Sequence, residues 1–176
     1  MPKRFSKGGR AYRFNELGMA LADRGDDLGA LDAYLAAIRL QPLWDSPWYN
    51  KGLVHKYRGE WLESLEANWQ ASRLAATNEA AIWNTGIAAT ALGEWAQARQ
   101  AWQRFGISLP DGDGPIEWPG QLTPIRVSVN DVPEVVWADR IDPARAIIRS
   151  IPLPACGRRW GDLILHGFQR QRWTRS

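Results

Sequence analysis

The chain has 176 residues, of which 45% are hydrophobic and 23% charged, so it is not disordered throughout and is long enough for one ordinary domain or two small ones. Its net charge of +3 comes mostly from the two ends, which argues against a basic fold that binds nucleic acid. The single cysteine excludes an intrachain disulfide and no run of about 18 apolar residues offers a membrane span, so we expect a cytoplasmic protein.

The first ten residues are basic. Residues 1–10 contain lysines and arginines but no acidic residue. Gly8, Gly9 and Arg10 interrupt the stretch that would have to form the apolar core of a signal peptide. We therefore predict a disordered, basic N-terminus over residues 1–10.

From about residue 11 to residue 112 the sequence repeats with a period of 34 residues. Two glycines and one small residue keep this period in phase, at Gly18, Gly52 and Gly86, at Gly25, Gly59 and Gly93, and at Ala30, Ser64 and Ala98. The second glycine of each unit suits the left-handed turn that ends a helix, and the first lets a paired helix approach closely. The pattern predicts two helices in each unit.

A 34-residue period with this order of small and large residues resembles the tetratricopeptide repeat. The resemblance covers three units, residues 11–44, 45–78 and 79–112. It implies an α-α superhelical solenoid. Asn68 stands where an aromatic residue is usual, and Phe105 where a small one is usual.

The resemblance also implies a binding surface, because the first helix of each unit lines the inner face of such a solenoid. The candidate partner-binding residues on this face are Tyr12, Asn15, Met19, Tyr49, Asn50, Leu53, Tyr57, Trp83, Asn84 and Ile87. Asn50 and Asn84 hold the same place in adjacent units, and a ladder of amides can follow an extended peptide. Alternatively, the chain's own C-terminal module covers this face.

The chaperone-tail carboxylate clamp of the same family is not expected. That clamp needs basic residues on the first and third units. Asn15, Met19 and Ala80 stand at those places, and only Asn50 matches. We therefore expect another protein or peptide of unknown identity as the partner.

A glycine- and proline-rich linker is predicted over residues 113–122. The Asp111-Gly-Asp113-Gly run is similar to the start of a calcium loop. Such a loop needs further oxygen ligands, but Pro115 and Leu122 stand at those places. We expect no metal there.

The pattern then becomes extended. Ile125, Val127 and Val129 alternate with polar residues, and three further apolar segments follow up to Leu165. This predicts a small β-rich module over residues 123–166, followed by a basic tail over residues 167–176. The fold class is therefore α+β.

Motifs for chemistry are few. No phosphate-binding glycine loop is present, and we expect no cofactor and no catalytic site. Cys156, Asp162 and His166 are close enough in sequence to be drawn as a nucleophile, acid and base, but such proximity is a common accident.

The leading hypothesis is thus a non-enzymatic adaptor that binds a protein or extended peptide on the inner face. A nucleic-acid partner is less favoured; it would use the basic ends together with Trp160 beside Arg158 and Arg159, and Trp173 beside Arg172. An enzyme in the β-rich module is a third alternative.

Overall fold

The computed structural model describes residues 7–117, 120–129 and 132–167, and the chain divides into two compact units, Met1–Ile107 and Ser108–Ser176. Within these ranges the first unit has six helices, α1 (Lys7–Asp23), α2 (Asp27–Leu40), α3 (Asp45–Arg58), α4 (Trp61–Leu74), α5 (Glu79–Leu92) and α6 (Trp95–Arg104). Corresponding helices of the second and third pairs begin 34 residues apart, as the sequence predicts. No helix in the described part of the chain is long and apolar enough to cross a membrane.

The turn within each helix pair depends on a glycine. Gly25, Gly59 and Gly93 have φ angles of 82°, 74° and 75°, a left-handed conformation that is strained for residues with a Cβ atom. Gly59 and Gly93 end α3 and α5 directly. The predicted helix-ending role of these glycines is therefore confirmed.

The first glycine of each unit lies against the partner helix. A Cβ atom at Gly18 would lie 2.5 Å from the Tyr34 ring, and one at Gly86 would lie 2.6 Å from the Trp102 ring. Gly52 meets Asn68 in the same way. Each pair of helices can therefore approach closely only because these positions carry no side chain.

Asn68, which departs from the aromatic pattern, is fully buried. Its amide nitrogen donates hydrogen bonds to the Ser64 carbonyl oxygen at 2.9 Å and to Ser64 Oγ at 3.2 Å. Ser64 Oγ in turn donates to the Gly52 carbonyl oxygen at 2.9 Å. A polar network thus replaces aromatic packing in the second unit, because a buried amide must find partners.

Helix α1 begins at Lys7, four residues before the predicted start of the first unit. Residues 7–10 are therefore helical and do not belong to a disordered terminus. Residues 1–6 of that predicted terminus, and residues 168–176 of the predicted tail with Arg172 and Trp173, lie outside the described residues.

The second unit contains a four-stranded antiparallel sheet of β1 (Leu122–Val129), β2 (Val132–Arg140), β3 (Arg145–Ile148) and β4 (Leu163–Leu165), in that spatial order. A short 3-10 turn, Pro154–Cys156, contacts β1 and β2. Apolar side chains from one face of the sheet form a buried core with Cys156; they are Ile125, Val127, Val136, Ala138, Ala146, Ile148 and Ile164. The predicted β-rich module is confirmed as this small sheet.

A buried carboxylate shapes the turn from β2 to β3. Asp142 is fully buried, and its Oδ1 accepts hydrogen bonds from the backbone N–H groups of Ala144 at 2.7 Å and Arg145 at 2.6 Å. Its other oxygen pairs with the Arg145 guanidinium. That guanidinium also donates to the Ile116 carbonyl oxygen at 3.2 Å, which ties the segment before β1 to the sheet.

Candidate functional site

The first helices of the three pairs form one surface, because α3 contacts both α1 and α5. All ten predicted partner-binding residues belong to these three helices, and we call the face that the repeat pattern assigns to them the inner face. Its residues recur at equivalent positions of α1, α3 and α5. The structure shows which of them are exposed and which are used in packing.

Two asparagines of the inner face bind each other. Asn50 Nδ2 on α3 donates to Asn15 Oδ1 on α1 at 3.0 Å. Asn15 is 4% exposed, and its own amide points to the Met19 sulfur at 3.6 Å. Asn50 is half-buried. Asn15 therefore positions Asn50, and Asn50 is the more accessible amide of the two.

A lysine links the second and third units. Lys56 Nζ on α3 donates to Asn84 Oδ1 on α5 at 2.9 Å. Burial lowers the pKa of Lys56 to about 8, because desolvation disfavours the ammonium form. The inner face thus carries a cation whose hydration is reduced.

Aromatic and apolar side chains flank these polar groups on the first two units. Tyr12 is 57% exposed, and its ring stacks on Trp44 with 6.3 Å between centroids and 15° between planes. Tyr57 and Met19 are also exposed. Trp44 is not among the predicted site residues, although its place directly before α3, at the junction of two units, is a usable signal.

Tyr49 and Leu53 lie on α3, the helix that carries Asn50, and both are half-buried. Burial also raises the pKa of Tyr49, so its hydroxyl remains a neutral donor and acceptor at physiological pH. These two residues provide half-buried surface next to Asn50.

The third unit departs from the expectation of an open ladder. Asn84 is 3% exposed and Ile87 is buried. Trp83 packs edge-on against Trp102 and Phe105, with ring centroids 4.9 and 4.8 Å apart. Because α5 packs against α3, α4 and α6, these side chains serve helix packing. The picture of a free Trp83 ring and an accessible Asn84 amide therefore needs correction.

The sequence allows a nucleophile, an acid and a base at Cys156, Asp162 and His166, and the structure places each of them in the sheet unit. Cys156 lies in the core of the sheet, where burial raises the pKa of its thiol. Asp162 Oδ2 accepts the backbone N–H of Arg159 at 2.8 Å. Burial lowers the pKa of His166 to about 4, so its ring is neutral at physiological pH. Within the described ranges, no group of three metal-ligating side chains comes together.

His55, the other histidine, is buried at the end of α3. Its Nδ1 lies 2.6 Å from Glu60 Oε2, and the other Glu60 oxygen accepts from Arg58 Nε at 2.8 Å. Hydrogen bonds from His55 and Arg58 lower the pKa of Glu60. The cluster joins the end of α3 to the start of α4.

Neither protein-family models nor curated proteins match this sequence. Solved structures do match its fold. The second tetratricopeptide domain of Spaghetti (RPAP3), bound to the HSP90 peptide SRMEEVD, is 20% identical, with a TM-score of 0.52 over 55% of this chain and 89% of that one. The N-terminal domain of stress-induced protein-1 from C. elegans is 20% identical, with a TM-score of 0.53 over 58% and 86%. MamA is 23% identical, with a TM-score of 0.52 over 57% and 54%. The six-helix unit of this chain therefore has the fold of a solenoid of three tetratricopeptide repeats.

Proposed function

We propose that the protein is a non-enzymatic adaptor that binds an extended segment of a partner protein on the part of the inner face formed by α1 and α3. This is the part where exposed side chains remain. The third unit is linked to this part of the inner face, because Asn84 on α5 accepts a hydrogen bond from Lys56 on α3.

The observation that carries this proposal is the environment of Asn50. Its amide gives one N–H to Asn15, and a primary amide has a second N–H and an acceptor oxygen to offer. Those two groups match one peptide unit of an extended chain. Half-buried Tyr49 and Leu53 adjoin it on α3, so a hydrogen bond to a partner would form with reduced competition from water.

The chemistry of the partner follows from the remaining side chains. The ammonium of Lys56 has lost part of its hydration, so an acidic group on the partner would stabilise it. Tyr12 and Tyr57 are exposed and supply rigid aromatic area of the kind that dominates binding energies. The acidic peptide on the similar domain of Spaghetti supports an extended peptide as the ligand.

The test uses a partner identified by affinity capture and mass spectrometry, whose binding segment is then titrated by calorimetry. We expect Asn50→Ala to weaken binding by about ten- to a hundred-fold, because a desolvated peptide group loses its partner at a cost of about 1–3 kcal/mol. Tyr57→Ala should weaken it as well. Leu62→Ala, at an exposed site on α4, is the control. Full affinity in both inner-face variants would contradict the proposal.

A further inference from the structure

The second unit has a sheet with two unlike faces. One face forms the buried core with Cys156. The other, which we call the open face, carries apolar side chains that are at least 40% exposed; they are Leu122, Val135, Trp137, Leu163 and Leu165. Strand register places Arg126 opposite Val135 on this same face. A soluble sheet rarely leaves so much apolar surface open without a use for it.

A second exposed tryptophan, Trp160, is connected to Trp137 through Asp139 and Arg149. Asp139 follows Trp137 by two residues on β2 and therefore points to the same face. Arg149 Nε donates to Asp139 Oδ2 at 2.6 Å, and the Arg149 guanidinium carbon lies 5.8 Å from the centre of the Trp160 ring. Trp137, Asp139, Arg149 and Trp160 thus form a continuous row.

The backbone holds this row in place. The Arg149 N–H donates to the Trp137 carbonyl oxygen at 2.7 Å, and the Trp137 N–H donates to Ser150 Oγ at 3.0 Å. Trp137 is nevertheless 49% exposed and Trp160 61% exposed. Hydrogen bonds therefore fix the Trp137 backbone against residues 149–150, while both rings keep much of their surface in water.

Four arginines lie on the open face or close to Trp160. Arg126 lies on the open face, the Arg149 guanidinium lies over the Trp160 ring, and Arg158 and Arg159 directly precede Trp160. Two carboxylates lie beside these arginines, since Asp139 pairs with Arg149 and Asp162 accepts the Arg159 backbone N–H. The four arginines outnumber them, so the surface around the rings carries a net positive charge that attracts anions.

We propose that the open face binds single-stranded nucleic acid. Trp137 and Trp160 would stack on bases, because every base offers an aromatic face, and the neighbouring guanidinium groups would contact phosphates. A purely apolar protein surface would match the apolar area but would bring no anion to Arg126, Arg158 and Arg159. This charge complementarity decides for a polyanion whose bases are unpaired. The site is independent of the inner face of the helical unit.

The experiment measures anisotropy of a fluorescein-labelled oligo(dT) of about 15 nucleotides titrated with the full chain. We expect saturable binding that weakens as potassium chloride rises, because phosphate contacts release counterions. Trp137→Ala and Trp160→Ala should each weaken it by about five- to a hundred-fold. Unlabelled oligo(U) and oligo(dT) as competitors distinguish RNA from DNA, and a duplex of the same length should compete poorly.

Matched variants separate stacking and charge from folding. Trp137→Phe keeps an aromatic face and should retain most of the affinity, even if Trp137→Ala perturbs the sheet. Arg126→Gln should weaken binding and reduce the slope of log affinity against log salt concentration by about one unit. Arg73→Gln, which removes the same charge from an exposed site on α4, should change neither.

Three outcomes would overturn the proposal. They are the absence of saturable binding, unchanged affinity in both tryptophan variants, and competition by duplex as strong as by single strands. Sedimentation of the free protein adds a fourth. If the chain is a dimer that Trp137→Ala converts to monomer, the open face is covered by a second copy and not by nucleic acid.

Discussion

At the scale of single residues, the inner face is held together by polar side chains that satisfy one another. Asn15 pairs with Asn50, and Lys56 pairs with Asn84. Each link joins neighbouring repeats, so each contributes to the stacking of units as well as to the candidate site. Such groups are costly to bury alone and modestly stabilising when paired.

The lowered pKa of Lys56 predicts how the stability of the protein depends on pH. This pKa is about 8 in the folded protein against an ordinary 10.5, so between these values the unfolded chain binds more protons than the folded one. Stability therefore rises with pH across this window, and the destabilising effect of the buried charge is fully present only below pH 8. We expect Lys56→Met to remove this rise. Urea unfolding of both proteins at pH 7 and pH 10 measures it.

Lys51→Met is the control for the loss of a lysine from α3, where Lys51 Nζ lies 5.8 Å from the centre of the Trp48 ring. If the difference in unfolding free energy between the wild-type protein and Lys56→Met is the same at both pH values, the Lys56 ammonium is well hydrated. Lys56 then gives no reason to expect an acidic group on the partner.

At the scale of elements, helix pairing depends on glycines that meet large side chains. We expect Gly86→Leu to destabilise the protein by about 1–3 kcal/mol, because the new side chain must displace Trp102 or separate α5 from α6. Thermal unfolding followed by circular dichroism reports the change. A Cβ atom at Gly114 would meet no heavy atom within 4 Å, so Gly114→Leu is the matched control. An unchanged midpoint for Gly86→Leu would contradict the close approach of the two helices.

The elements themselves were largely predictable, because the signals are local. The spacing of Gly52 and Gly86 predicts the helix pairs, and the alternation of apolar and polar residues around Ile125 predicts β1. The Asn15–Asn50 bond was not predictable, since it joins residues 35 positions apart whose amides look alike in the sequence. The burial of Asn84 on α5 was missed for a related reason, because a repeat pattern does not report which neighbours cover a given helix face.

The open face was not predictable from the sequence for another reason. Val135, Val136 and Trp137 are consecutive apolar residues in β2, so both faces of that strand are apolar. Alternation could not then indicate which side is buried. Only the register with β1, where Val136 pairs with Ile125 and Trp137 with Pro124, separates the core side from the exposed side.

At the scale of the whole molecule, each unit has a core of its own. Ala22, Ala30, Tyr34 and Val54 form a buried cluster in the helical unit, and the sheet unit has its separate cluster with Cys156. Repeats of this kind are stabilised by contacts between successive units. The two candidate binding surfaces therefore lie on parts of the chain that need not unfold together.

This separation leads to the last prediction, that residues 1–111 fold without the sheet. The cut follows the end of α6 at Arg104 and the division after Ile107. We expect a strongly helical fragment with one cooperative transition, whose calorimetric enthalpy of about 60–80 kcal/mol equals the van't Hoff value. It should retain the inner-face affinity for the identified partner and lose binding to oligo(dT). A fragment that is unfolded, or that melts without cooperativity, would show that α5 and α6 depend on the rest of the chain for their stability.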